Sequence, residues 1–264
     1  MARFVSLYSG SSGNAFYAGG KNAGILIDIG VSYRALVNAL NSCEIPLSNI
    51  KALFITHEHS DHIKGIETFL KRNPNIPVYA SSETLRYISE HSALPSSVRL
   101  VEISDKSVCE ADMCIEAFDT PHDALHSLGF KMRTSDDRTI SVATDLGHLN
   151  DNIMKNLLKS DLVLLESNYD KDMLRFGPYP YVLKRRISGE LGHLSNDDCS
   201  AALPTLIESG VSRIVLAHLS EQNNRPDIAE NYAESSLDDN GYRRGVDYLL
   251  EVAPRFNPGK TIIF

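Results

Sequence analysis

The chain contains no tryptophan, so any stacking against a flat ligand must come from tyrosine, phenylalanine or arginine. It also lacks long apolar runs. The longest, such as Leu162–Leu165 and Ile214–Ala217, fall far short of the ~20 residues that a bilayer helix needs, which excludes a membrane span. The opening residues carry no apolar stretch ending in a small-residue cleavage site, so export is not expected. Cysteine is sparse: Cys43, Cys109, Cys114 and Cys199 show no Cys-x-x-Cys spacing. They read as free thiols of a reducing compartment rather than a disulfide framework, and a cytoplasmic location is expected. Positive charge is in deficit too. The 26 Lys and Arg against 34 Asp and Glu leave a formal net charge of -8. That is the wrong sign for a general nucleic-acid coating protein, though not for an enzyme with a local basic patch.

What the chain does have is a core. With 264 residues, 42% of them hydrophobic, it can bury enough surface for one large domain or two small ones, and disorder is excluded. Short runs rich in β-branched residues recur at 24–29, 52–56, 76–80, 139–144, 161–165 and 212–217. Each runs into polar residues with Gly, Asp or His, the pattern of buried strands that end in functional loops. Between them, Tyr33, Leu36, Val37 and Leu40 fall on one helical face, as do Ala202, Leu203, Leu206 and Ile207. Ser195 or Asn196 should cap the latter helix, with Asp197 and Asp198 in its first turn. Strands outnumber helices early and again over 98–144. A simple alternating βαβ chain is therefore not expected; an α/β chain of the α+β type, with two sheets and helices outside, fits better. The whole of 1–264 reads as one domain.

The strongest signal is Thr56-His57-Glu58-His59-Ser60-Asp61-His62. Three imidazoles and two carboxylates in so short a stretch cannot be core, because buried polar groups need partners. Placed at a strand end, His57 and His59 should project to one side by the two-residue alternation of strands. Asp61 and His62 would face the same space after a turn. The set suits two adjacent divalent metals, and imidazole with carboxylate favours Zn, Mn or Fe.

The His-x-His-x-Asp-His pattern resembles the signature of the metallo-β-lactamase superfamily. The resemblance implies a four-layered αββα sandwich with a dinuclear metal site. It matches Asp28 to the aspartate that orients the ligand loop, and it places His122, Asp145 and His218 at the remaining ligand positions. By this resemblance His57, His59 and His122 hold one metal and Asp61, His62 and His218 the other, with Asp145 between them and Asp61 also counted as catalytic. A further series occurs in order: Ser9–Asn14, Leu165–Asp170, Gly177–Tyr181, Lys184-Arg185-Arg186, Gly192–Asn196 and Leu219–Asn224. It is similar to the bacterial YycJ/WalJ family, phosphodiesterase-type enzymes regarded as 5′-to-3′ DNA exonucleases. Asp145 and His218 are too close in sequence to enclose an inserted domain of ~100 residues, so a minimal version is expected.

Phosphoester cleavage with two metals leaves a 3′ oxygen that needs a proton. His193 is the candidate donor, with Glu166 orienting it; a helix-capping His193, and a Glu166 paired with an arginine, are the bland alternatives. Ser9, Ser11, Ser12 and Asn14 could present donors to a terminal phosphate, or simply form a tight turn between the first two strands. Asn168 is grouped with these substrate-binding residues. Lys184 and Arg185, close to Tyr179 and Tyr181, offer cations and stacking faces for single-stranded DNA or RNA, or else form a solvated helix face over packed tyrosines. His148, three residues after Asp145, is a candidate second support for the metals. A competing reading keeps the ligands but hydrolyses a small substrate: a cyclic phosphodiester, thioester or lactone.

Overall fold

The apolar runs become strands that stop where the polar residues begin. In a computed structural model that describes residues 1–104 and 107–264, the elements follow in this order: β1 (Arg3–Tyr8), β2 (Ala15–Gly19), β3 (Gly24–Ile27), α1 (Tyr33–Ser42), β4 (Ile50–Phe54), α2 (Ser60–Ile63), α3 (Ile66–Arg72), β5 (Val78–Ala80), α4 (Ser82–His91), β6 (Leu100–Glu102), β7 (Ser107–Glu110), β8 (Met113–Asp119), β9 (Leu128–Thr134), β10 (Thr139–Ala143), α5 (Asp151–Leu157), β11 (Leu162–Glu166), α6 (Lys171–Phe176), α7 (Tyr181–Ile187), α8 (Asn196–Glu208), β12 (Arg213–Ala217), α9 (Pro226–Asp239), β13 (Leu249–Val252) and β14 (Ile262–Ile263). These elements group into two compact units. One comprises Met1–Ala117, Ala124–Arg138 and Pro254–Phe264; the other comprises Phe118–Asp123 and Thr139–Ala253.

The first unit contains a seven-stranded sheet in the order β14-β1-β2-β3-β4-β5-β6. Pairing is antiparallel from β14 to β3 and parallel from β3 to β6. Its register sets Phe16 opposite Ile27 and Leu53 opposite Val78. Leu26, Leu53, Phe69 and Leu85 lie in one core with Leu36 and Leu40 of α1. Each such side chain contributes about 1.5–3 kcal/mol when fully buried. Helix α1 starts where Ser32 accepts from the Ala35 amide, and α4 where Ser81 does the same for Thr84.

The second unit carries four parallel strands, β10, β11, β12 and β13, with Ile140 opposite Leu162 and Leu165 opposite Leu216. The residues of β10, β11 and β12 are almost all buried, as parallel strands covered on both faces must be, whereas the edge strand β13 buries only Leu250. Leu203, Leu206 and Ile207 of α8 pack into this core with Ala229 and Leu237 of α9, so the expected apolar face of α8 is the one used. Ser195 caps α8 by accepting from the Asp198 amide. Among the described residues no helix is long and apolar enough to cross a membrane.

Candidate metal centre and catalytic residues

In the first unit the histidine-rich segment is a loop rather than a strand end. Strand β4 stops at Phe54, and His59 is the N-terminal cap of the one-turn helix α2. The alternation argument for His57 and His59 therefore does not apply, yet the loop still packs the imidazoles together. The His57 ring lies 4.6 Å from that of His59 and 4.1 Å from that of His62, centroid to centroid.

A buried carboxylate organises this loop. Asp28 follows β3 directly and is fully buried, with φ of 61°, a left-handed conformation that costs a non-glycine residue about 1–2 kcal/mol. Its Oδ1 accepts from the Thr56 amide at 2.8 Å. Its Oδ2 accepts from the Thr56 hydroxyl at 2.9 Å and from His62 Nδ1 at 2.7 Å. Burial raises its pKa, and the His62 and Thr56 contacts only partly offset that rise. Gly30 completes the seat: a Cβ there would lie 1.6 Å from the Asp61 carbonyl oxygen. That close approach lets the Ile29 amide reach the His62 carbonyl and the Asn14 amide reach the Asp61 carbonyl, each at 2.8 Å. Thr56 carried no signal in the sequence beyond its place before His57.

The segment Ser9–Asn14 is a turn between β1 and β2, closed by Gly13 N–H to the Gly10 carbonyl and by Gly10 N–H to Asn14 Oδ1. Ser9 and Asn14 are buried, while Ser11 and Ser12 are exposed at its tip. The Asn14 amide nitrogen lies 3.4 Å from Asp61 Oδ2, so Asn14 supports the loop.

The second unit holds the other cluster. Asp145, Glu166, His193 and His218 each place a nitrogen or oxygen within 4.8 Å of the others. Glu166, the last residue of β11, is fully buried. Its Oε1 accepts from His193 Nδ1 and from His218 Nδ1, both at 2.8 Å. Its Oε2 accepts from the Leu146 amide at 2.9 Å and the Leu194 amide at 3.3 Å. Its partners are thus imidazoles and amides. Burial alone would raise the Glu166 pKa, but the His193 charge and the two imidazole hydrogen bonds outweigh it and hold the carboxyl below the usual range. His193 shows the converse: burial lowers its pKa, and the Glu166 carboxylate reverses this to a net rise. For His122 burial prevails over the Asp145 charge and the pKa falls.

Asp145 and His218 also sit at positive φ, 58° and 55°, which turns each chain sharply after β10 and β12. Asp145 Oδ1 is 3.8 Å from His122 Nε2 and 3.5 Å from His218 Nδ1. His122 Nδ1 donates to the Gly192 carbonyl at 3.0 Å. Asn168 is buried, and its amide donates to the His218 carbonyl at 2.7 Å. Asn168 is itself held by a buried amide pair, Asn196 and Asn224, in which the Asn224 side chain also donates to the Ser167 and Asn168 carbonyls. His148 is exposed, and its Nδ1 lies 3.1 Å from the Glu190 carbonyl, so it braces the neighbouring loop rather than a candidate ligand. On α7, Lys184 donates to the carbonyls of Arg175 and Gly177 and closes the end of α6. Arg186 pairs with Asp123. Arg185 is exposed, and Tyr179 packs against Tyr169, Leu174 and Ile187.

The donor sets fit divalent metals. His62, His122 and His218 each donate Nδ1–H to a carboxylate or carbonyl, which makes Nε2 the lone-pair nitrogen, the arrangement found behind metal-bound imidazoles. Carboxylate oxygens of Asp61 and Asp145 complement them, with no thiolate to select a softer ion. If Asp28 fixes His62 for this purpose, Asp28→Ala should weaken metal affinity by about 10–100-fold. Titration of metal-free protein with Zn2+ or Mn2+ measures this, and unchanged affinity would show that Asp28 has no such role.

Residues 24–219 match the family model described as the β-lactamase superfamily domain. Over 252 residues the chain is 33% identical to the exodeoxyribonuclease YycJ of Bacillus anthracis, covering 94% of this chain and 93% of that one. It is 32% identical over 251 residues to the exodeoxyribonuclease WalJ of Streptococcus pneumoniae, with the same coverage. Among solved structures, the metallo-β-lactamase fold protein YhfI of Bacillus subtilis superposes with a TM-score of 0.73, at 13% identity, over 98% of this chain and 100% of that one; this establishes the fold. The chain therefore has the α/β metallo-β-lactamase fold and belongs to the β-lactamase superfamily, within it to the YycJ/WalJ-like family of hydrolases.

Proposed function

We propose that the protein is a dinuclear-metal exonuclease that hydrolyses single-stranded DNA from a 5′-phosphorylated end, and that residues 1–264 work as one catalytic domain. In this reading His57, His59 and His122 hold one ion, Asp61, His62 and His218 the other, and Asp145 serves both. Two such ions, Zn or Mn with Fe as a third candidate, supply activation of water and neutralisation of phosphoryl charge. The observation that carries the reading is the shared carboxylate. Glu166 Oε1 accepts from His218, a ligand in this reading, and from His193, which the two proposed ligand sets leave out. The His193 side chain is 20% exposed, against 2% for His218. Its Nδ1 is held by Glu166, so Nε2 is the nitrogen from which it donates a proton to the departing 3′ oxygen. The names and near full-length coverage of the YycJ and WalJ relatives support DNA as the substrate.

The surface of α6 and α7 suits a single strand. Phe176 and Tyr181 are 76% and 73% exposed, Arg175 lies over the Phe176 ring at 5.3 Å, and Arg185 is exposed beside them. Exposed rings with adjacent cations stack bases without sequence preference. Lys184 contributes indirectly, by fixing the join between the two helices. In this reading Ser11 and Ser12, exposed at the tip of the β1–β2 turn, offer donors to a terminal phosphate, and Ser9 and Asn14 shape the turn that presents them.

Two experiments test this. With Mn2+ or Zn2+ added, a linear strand bearing a 5′-phosphate should be degraded faster than its 5′-hydroxyl counterpart, and a circular strand should stay intact. Cleavage of the circle, or equal rates at both ends, would overturn the end-directed reading. His193→Ala should lower kcat on DNA by roughly 10²–10⁴ with metal content unchanged, and far less on a nitrophenyl phosphodiester, whose leaving group needs no acid. Equal losses on both substrates would assign His193 a structural role.

A further inference from the structure

The four cysteines divide into two kinds. Cys43 and Cys199 are buried, and burial raises both thiols, Cys199 up to about 12; the Cys109 thiol is raised too, by its contact with Cys114, so burial and not thiol acidity separates the two kinds. Cys109 and Cys114 are exposed and face each other across the β7–β8 hairpin, where they are register partners. Their sulfurs lie 2.7 Å apart, well inside van der Waals contact, so the two side chains already point at one another. The hairpin fixes this geometry. Ala111 and Asp112, at φ of 53° and 60°, form its two-residue turn, the tight kind in which both central residues are left-handed. Glu110 and Met113 flank that turn as the first pair, and Cys109 and Cys114 are the second. Directly opposed residues of an antiparallel pair have Cα atoms ~4.5–5.5 Å apart, within the ~4.4–6.8 Å span of disulfides. No backbone movement is needed for a bond to form.

We propose that Cys109 and Cys114 are a reversible dithiol modification site, oxidised by a peroxide to an intrachain disulfide and reduced again by a dithiol. In the first step one thiol, as its thiolate, attacks the peroxide; the O–O bond breaks, and the products are a sulfenic acid and water. The facing thiol then attacks the sulfenic sulfur, the S–S bond forms, and the hydroxyl leaves as a second water. Each turnover removes two electrons and two hydrogens from the pair, and the peroxide accepts them. Reduction by a dithiol runs through a mixed disulfide and returns both thiols. The loop that the bond closes is short, so it stabilises the fold little; its exposure leaves it open to reductants. This site is independent of the nuclease reading.

The test uses the full chain, treated with hydrogen peroxide and then alkylated after unfolding, with peptide mass spectrometry as the readout. Two alkylatable thiols should be lost out of the four, as a Cys109–Cys114 disulfide within one chain, and dithiothreitol should restore them. Cys43 and Cys199 should be alkylated throughout. In Cys114→Ser, Cys109 should proceed to sulfinic acid instead. The proposal is overturned if Cys109 and Cys114 in the unaltered chain remain thiols, pass directly to sulfinic or sulfonic acids, or join different chains.

Discussion

An ionised carboxylate enters a protein interior only if hydrogen bonds replace the water it gives up; left unpaired, it costs several kcal/mol. Glu166 meets that condition with four donors on two oxygens: the imidazoles of His193 and His218 and the amides of Leu146 and Leu194. Because all four must be present, the ends of β10, β11 and β12 and the loop before α8 are fixed together. Asp28 does the same work in the first unit with three bonds, two from Thr56 and one from His62. Each carboxylate thereby sets the tautomer of the imidazole it binds. The candidate ligands are thus oriented by carboxylates that the proposed metal sets leave out.

The cost of this arrangement is visible in the backbone. Asp28, Asp145 and His218 all lie in the left-handed region, where non-glycine residues are strained and where functional sites concentrate such strain. Each sits just past the end of a strand inside its unit. Their polar side chains are thus turned out of the strand direction, while the apolar residues before them, such as Ile27, Val142 and Leu216, stay in the core. The strands supply rigidity and the strained turn supplies aim.

Much of this was legible in the sequence. The apolar runs located β3, β4, β5, β10, β11 and β12, and of the two caps expected for α8, Ser195 and Asn196, Ser195 is the one used. The His57-to-His62 segment announced metal chemistry through sheer density of ligand types. What failed was local geometry. Strand alternation was the wrong reason for grouping His57 with His59, because β4 ends at Phe54 and the loop is shaped by Thr56 and Gly30 instead. Neither residue carries chemistry of its own, so neither could be singled out. The run Lys184-Arg185-Arg186 showed its charge but not its engagements: Lys184 serves two carbonyls, Arg186 serves Asp123, and Arg185 is left facing outward. Asn168 and Asn14 read as polar groups for a substrate, whereas burial puts their amides to use on His218 and Asp61. Partner choice among polar groups depends on contacts distant in sequence, which composition and spacing do not encode.

The central relation is that Glu166 and Asp28 hold Nδ1–H of their imidazoles and so dedicate Nε2 to function. Nitrogen-15 NMR of the histidine rings in the metal-free protein reads this directly, through long-range correlations that distinguish the two ring nitrogens. The expected result is a protonated Nδ1 at His62, His193 and His218, with the His193 and His218 signals shifting in Glu166→Gln and His62 unchanged there. A protonated Nε2 with bare Nδ1 at His62 or His218 would contradict the arrangement and remove the basis for the ligand assignment.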